Sequence, residues 1–276
     1  MKKNYVSDDD LLSYSDSGSG LAVVFLHPTP LNGDYWQPLI HNLTGIRAIV
    51  PDLRGHGSSE LGQKLPLGGF ARVPDAPVLT MGRLASDVLA LLDELQVREA
   101  VFAGCSIGGY VLLELWRRAP ERMKGLVFVC SKPQADAEAN RERRAAMIAQ
   151  MRAQGAGATM DGMVQTLTGA SAQQRKPAVV AELRAQMTLS LEALVSVQAG
   201  LATRPDSVPT ISSITAPVLA IEGGEDGIVT PAEFEVFCAA PGGCTLVMVQ
   251  DAGHFAAYEQ PEKLAAIMDP WLQQFQ

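Results

Sequence analysis

Apolar residues fall along the chain in two rhythms. Short continuous runs predict strands at Leu21-Ala22-Val23-Val24-Phe25-Leu26, Arg47-Ala48-Ile49-Val50, residues 100–104, Gly125-Leu126-Val127-Phe128-Val129, Val218-Leu219-Ala220-Ile221 and Thr245-Leu246-Val247-Met248-Val249. The first is apolar throughout and predicts a central strand buried on both sides, and the second is read as a further buried strand. Between them the spacing becomes helical. Leu84, Val88, Leu91, Leu92 and Leu95 fall on one face behind Thr80, a predicted N-cap. Residues 35–43, the segment from Ser106 to about Arg118, and residues 231–239 also predict helices. Ala119-Pro120-Glu121 stops the second of these. A closing helix should bury Leu264, Ile267, Met268, Trp271, Leu272 and Phe275, with Pro270 kinking it or splitting off its last turn. The polar residues 1–20 predict one or two edge strands, and residues 60–79 a long loop.

Strand alternating with helix implies an α/β fold: a mostly parallel central sheet with helices on both faces. The alternation stops after Ser131. Residues 132–209 are rich in Ala, Arg, Gln and Met and contain no strand-like run. Val180, Leu183, Met187, Leu191 and Leu194 there predict an amphipathic helix. The expected organisation is a core domain in two parts, residues 1–131 and 210–276, with a helical cap, residues 132–209, inserted after a strand's carboxyl end. Ligands of open α/β sheets bind at that edge.

Composition narrows the classes. The chain has 276 residues, 47% hydrophobic and 19% charged, with a net charge of -8, which suits one globular core with an elaboration. No basic run appears, so nucleic acid and anionic membrane are poor partners. No apolar run is long enough to span a bilayer, and no signal peptide is expected after Met1-Lys2-Lys3-Asn4. Cys105, Cys130, Cys238 and Cys244 lack metal-ligand spacing and read as reduced thiols of a cytoplasmic protein. Neither a metal nor a cofactor is expected. Association between copies of the chain stays open.

The chemistry concentrates at Gly104-Cys105-Ser106-Ile107-Gly108-Gly109, where an apolar strand meets a helix. Gly-x-Ser-x-Gly in that setting is a nucleophile elbow. Small residues flank a crowded turn that lifts the Ser106 hydroxyl above the sheet. The Ile107 N–H at the helix start is free to meet a developing oxyanion. Cys105 reads as a small filler beneath the turn. A serine needs a base, and the chain has four histidines. His41 lies on a predicted surface helix, His56 in an Arg-Gly-His-Gly turn, and His27 at a strand end. His254 follows the last strand, in a loop that should emerge on Ser106's side. Its carboxylate partner is read as Asp226, in the loop Glu222-Gly223-Gly224-Glu225-Asp226, with Asp251 and Glu225 as rivals.

With these residues the chain resembles the α/β-hydrolase superfamily, in the serine branch whose helical cap follows the sixth strand. The marks run from about residue 20 to the C-terminus: His27-Pro28-Thr29-Pro30, Asp52-Leu53-Arg54-Gly55-His56-Gly57-Ser58-Ser59, the elbow, Gly223-Gly224-Glu225-Asp226 and Gly253-His254. The family usually carries His-Gly-x-Pro after the third strand, and this match implies a second oxyanion donor in the Thr29 N–H. Pro28 departs from the pattern but leaves that donor in place, and Thr29 also has a hydroxyl to offer. His27 then orients the loop. Haloalkane dehalogenases and epoxide hydrolases of this branch use an aspartate at the elbow, so Ser106 implies acyl transfer. Pro30 is similar to the last position of that motif in cofactor-free perhydrolases.

The expected function is a serine hydrolase of carboxylic esters or related small acyl compounds. Lactone, carbon–carbon bond, amide or iminopeptide hydrolysis and perhydrolysis remain open on the same residues. A low-turnover ligand receptor is the rival of another class. Met147, Met151, Met160, Met163 and Met187 predict an apolar, adaptable pocket under the cap, if some of them face the site. Charged acyl groups are expected to bind poorly, because no Arg or Lys flanks the elbow or the Asp226 loop in sequence.

Overall fold

The apolar runs become the centre of a single sheet. In the computed structural model, which describes residues 2–63, 65–66 and 76–276, the strands are β1 (Lys3–Ser7), β2 (Asp10–Gly18), β3 (Leu21–Leu26), β4 (Ile46–Pro51), β5 (Ala100–Cys105), β6 (Met123–Val129), β7 (Val218–Gly223) and β8 (Cys244–Val249). Their order is β1-β2-β4-β3-β5-β6-β7-β8. β1 and β2 join antiparallel, β2 runs antiparallel to β4, and every pair from β4 to β8 is parallel. This is an α/β fold with a mostly parallel sheet, and the polar N-terminal residues form its antiparallel edge. The predicted loop at residues 60–79 falls partly outside the described residues.

The helices are α1 (Gln37–Ile40), α2 (Met81–Glu94), α3 (Ile107–Arg118), α4 (Glu138–Gln154), α5 (Gly157–Leu167), α6 (Ala170–Arg175), α7 (Pro177–Gln186), α8 (Leu191–Ala202), α9 (Val208–Ile211), α10 (Pro231–Phe234), α11 (Ala256–Glu259) and α12 (Pro261–Leu272). Thr80 caps α2 by accepting a hydrogen bond from the Arg83 N–H. Leu84, Val88, Leu91 and Leu92 of that helix are buried. Pro270 lies inside α12, and the chain tightens to a 3-10 turn at Gln273–Phe275. A proline has no N–H for the helical ladder and so weakens the last turn.

Two helix expectations need correction. The stretch from Val180 to Leu194 is not one helix. α7 ends at Gln186, and α8 begins at Leu191, capped by the Ser190 hydroxyl accepting from Ala193 N–H. An apolar period passed through a break that only the cap chemistry marks. Likewise residues 35–43 form a 3-10 turn at Gly33–Trp36 and then the short α1, with Asn32 capping through Asp34 N–H.

Between β6 and β7 lie α4 to α9 and no strand. That insertion leaves from the carboxyl end of β6. β3 pairs with β4 on one side and β5 on the other, so the chain reverses its direction of sheet growth between β3 and β5. The loops after these strands, at His27 and at Ser106, diverge there and open a crevice, the place where α/β sheets take ligands.

Candidate active site

Ser106 sits between β5 and α3 with φ 52 and ψ -115, a backbone that side-chain-bearing residues rarely adopt. The turn is held from both sides. Ser106 N–H donates to Val129 O at 3.1 Å, and the Ser131 hydroxyl donates to Ser106 O at 2.9 Å. A methyl on Gly108 would sit 2.2 Å from the Leu26 carbonyl oxygen, and one on Gly104 2.5 Å from the Gly108 carbonyl carbon. Only hydrogen fits at these two positions, so the helix start lies directly against β3. Cys105 is fully buried beneath the turn. Burial holds its thiol far above the ordinary range, and the Tyr35 hydroxyl lies 3.3 Å from its sulfur. It packs and does not ionise.

His254 and Asp226 lie on the loops after β8 and β7. Their side chains are 2% and 0% exposed, with His254 Nδ1 2.8 Å from Asp226 Oδ2. The other Asp226 oxygen accepts from Ile228 N–H at 2.7 Å. Burial raises the carboxyl's pKa, but the His254 charge, its hydrogen bond and the Ile228 and Val229 amides outweigh burial, and Asp226 titrates below the usual range. The rivals point elsewhere. Glu225 accepts from Ser171 N–H and Oγ at 2.8 and 2.7 Å. Asp251 faces Ser171, Lys263 and Arg175 toward the surface.

The remaining histidines have other partners. His27 Nδ1 faces Pro28 O at 2.9 Å, and its Nε2 accepts from Leu53 N–H at 2.9 Å. Burial, then the nearby His56, lower its pKa to about 3. His56 is likewise driven down to about 4 by burial. Its Nδ1 lies 2.9 Å from Arg54 O and its Nε2 3.0 Å from Thr29 Oγ1. A carbonyl can only accept, so Nδ1 carries the proton and Nε2 accepts from the Thr29 hydroxyl. The single proton of that hydroxyl is therefore committed to His56, contrary to the expectation that Thr29 has a hydroxyl to offer. Its backbone N–H is a separate donor. His41 is exposed beyond the end of α1.

Thr29, Ser106 and His254 line one cavity of about 520 Å³. Ile107 opens α3 immediately after Ser106, where helix geometry supplies its N–H with no acceptor. The rest of the wall comes largely from α4, α5 and α8. Met147 and Met163 line the cavity. Met151, Met160 and Met187 are buried in packing instead. Arg143 and Arg144 of α4 also line it, cations that the sequence around the elbow and the Asp226 loop does not contain. They stand some forty residues from the elbow in sequence and reach it only because the insertion folds back over the sheet edge.

Sequence reasoning missed how the His254 loop is fixed. Glu259, fully buried, accepts the N–H groups of Gly253 and Phe255 at 2.9 and 3.2 Å, on either side of His254, and that of Gly169 at 3.0 Å. His254 N–H itself donates to Leu167 O at 2.9 Å. The insertion thus holds the backbone of the histidine loop. The available signal was a glutamate five residues after His254, directly behind the apolar Phe255-Ala256-Ala257-Tyr258. Among the described residues no group of three or more His, Cys, Asp or Glu could hold a metal ion, and no helix is long and apolar enough to cross a membrane.

The profile of the alpha/beta hydrolase family matches residues 23–267. The chain belongs to that family. It is 26% identical to 3-oxoadipate enol-lactonase 2 of Acinetobacter baylyi, over 99% of this chain and 97% of that one. A non-heme chloroperoxidase of Streptomyces lividans is 37% identical over 132 residues, 46% of this chain and 43% of its own. Among solved structures, a thermophilic esterase from Thermogutta terrifontis superposes with a TM-score of 0.87 at 28% identity, covering 99% of this chain and 98% of its own. This alpha/beta hydrolase is an enzyme, with esterase and lactonase relatives.

Two stability measurements test the electrostatics around the site. Glu259→Ala strips the acceptor from three buried amides, each costing about 1–3 kcal/mol when unpaired. Urea titration should show a loss of about 3 kcal/mol or more, and Glu259→Gln, which keeps one acceptor oxygen, should lose less. An unchanged midpoint for the alanine variant would mean the clamp contributes nothing. The second test concerns Glu222, 3% exposed, whose pKa is pushed up to about 7 by burial and then by Asp226, Glu233 and Glu235. Between its ordinary value of 4.5 and about 7 the folded chain keeps a proton the unfolded chain has released. Stability from this group therefore declines as pH rises through that window. Glu222→Gln should raise Tm more at pH 8 than at pH 5, and an equal shift at both would reject this assignment.

Proposed function

We propose that this alpha/beta hydrolase cleaves carboxylic esters or lactones of small acids through an acyl-enzyme on Ser106. The observation that carries the reading is the buried Asp226–His254 pair, whose His254 lines the same cavity as Ser106. His254 takes the Ser106 proton on Nε2 as Oγ attacks the substrate carbonyl. Asp226 holds Nδ1–H and supports the imidazolium that forms. The N–H groups of Ile107 and Thr29 receive the oxyanion. One such donor is worth about 3–4 kcal/mol in a well-studied protease. Collapse breaks the ester bond, and the alkoxide leaves with the proton held by His254. Water, deprotonated by the same imidazole, then attacks the acyl group and frees Ser106.

On this reading residues 132–209 form a cap that closes the acyl pocket. A volume of about 520 Å³ suits short to medium acyl groups. A polymer would need an open groove. Similarity over nearly the full chain to an enol-lactonase supports lactones as well as open esters. A second reading, perhydrolysis, is supported by the similarity to a non-heme chloroperoxidase and by Pro30. In that case hydrogen peroxide replaces water in deacylation and a peracid leaves.

The deciding experiment is a panel of activated esters, lactones and amides, with and without hydrogen peroxide, run on wild type and Ser106→Ala. Ser106→Ala should lose labelling by a fluorophosphonate and nearly all ester turnover. Full labelling of the variant would remove Ser106 from the mechanism, and binding without turnover by wild type would favour a receptor. Asp226→Asn should lower kcat by orders of magnitude, since an asparagine can hold the imidazole in the wrong tautomer, a change that costs about ten thousand-fold in a protease. Asp251→Asn should stay within a few-fold of wild type. The reverse ranking would exchange the roles of the two acids.

A further inference from the structure

The cavity wall carries cations and no acid. Among its lining residues Arg143 and Arg144 are the charged side chains, in a protein of net charge -8. Arg144 is aimed by two buried partners. Its Nε donates to Asp136 Oδ2, and its Nη1 donates to Gln198 Oε1 at 2.6 Å. Asp136 and Gln198 are 4% and 2% exposed. With Gln198 Oε1 turned to the guanidinium, the amide NH₂ of Gln198 is left as a donor. Arg144 Nη2 is left as well.

The same carboxylate is shared. Asp136 Oδ1 lies 2.7 Å from Nη1 of Arg204, a residue 5% exposed that also donates to Leu201 O and Gln134 O and lies 4.3 Å over the Tyr110 ring. Two guanidiniums on one carboxylate leave a net charge of +1 in the wall, and Arg143 adds to it at the exposed rim. Gln198 and Arg144 both line the same cavity, so the donors they leave over stand on one wall.

We propose that this wall is a carboxylate subsite: the acyl group cleaved at Ser106 carries a second carboxylate, held by Arg144 with Gln198 as a further donor. The proposal rests on the reading of Ser106 as nucleophile. The substrate class is the monoester or lactone of a short dicarboxylic acid. Arginine suits the role because its planar donors match a carboxylate and keep their charge in a partly buried site. Asp136 is a positioning residue: it aims Arg144 while Arg204 offsets its charge.

The test is a matched pair of substrates, mono-4-nitrophenyl glutarate and 4-nitrophenyl pentanoate, whose five-carbon acyl chains end in a carboxylate and a methyl group. Wild type should favour the glutarate ester in kcat/KM. Arg144→Gln leaves Asp136 paired with Arg204, and it should lower the glutarate-to-pentanoate ratio at least tenfold, mainly through KM. Arg144→Lys should retain part of the ratio. A ratio unmoved in Arg144→Gln, with both esters still cleaved, overturns the subsite and leaves the nucleophile standing. Should wild type cleave neither ester, the Ser106 reading fails and calorimetry with glutarate judges the subsite alone. A Kd at least tenfold weaker in Arg144→Gln supports it, and equal or absent binding in both proteins overturns it.

Discussion

Everything at this site depends on how closely one helix can start against one strand. The Leu26 carbonyl would lie 2.2 Å from a methyl on Gly108, well inside any tolerable contact. Because no methyl is there, α3 begins on the backbone of β3. That closeness brings the Ile107 N–H beside the loop carrying Thr29, across the crevice where the sheet reverses direction. It also forces Ser106 into its positive-φ turn. Such a conformation costs of order 1–3 kcal/mol, offset by the fully buried residues of β5 around it. A serine held this way cannot relax into the helix, so its hydroxyl stays above the sheet edge.

The second constraint is that the inserted helices hold the site as well as cover it. Leu167 O receives the N–H of His254, Gly169 N–H shares Glu259 with the two amides flanking that histidine, and Ser171 ties down Glu225 beside Asp226. A loop fixed only by its own turn would leave the imidazole free to sample several orientations. Here the backbone on both sides of His254 is bonded to a buried carboxylate, and the ring is bonded to another. Shifting the helices over the cavity would therefore disturb His254, which couples the cavity wall to that side chain mechanically.

Much of this was legible in the residues, and the reason is local. A buried parallel strand must be apolar throughout, so β3 and β6 announce themselves. A tight strand-to-helix turn must have glycine where backbones touch, so Gly104 and Gly108 mark the elbow. Asp226 and His254 were readable because each follows a recognisable strand. What was hidden depends on long-range geometry. Asp251 and Asp226 are both acids near His254 in the expected topology, and only the folded chain shows Asp251 turned outward toward Lys263. The break between α7 and α8 was hidden by an apolar period that continues across it. Arg144 was hidden because the helices between β6 and β7 have no sheet to fix their register, so nothing in the sequence says which face of α4 looks down.

That last omission has a physical logic. An arginine set partly buried in a cavity wall would be costly if its charge had no partner, because taking a charge out of water is expensive. A single carboxylate devoted to Arg144 would remove the penalty and also cancel the charge. Asp136 does something in between. Divided between Arg144 and Arg204, it stabilises two cations without neutralising both, and Tyr110 beneath Arg204 supplies a further electron-rich face. The excess positive charge is left where the wall meets the cavity. A neutral ligand gains nothing from that excess, whereas an anionic one does. The arrangement makes physical sense as selection for charge, built from residues far from the elbow in sequence.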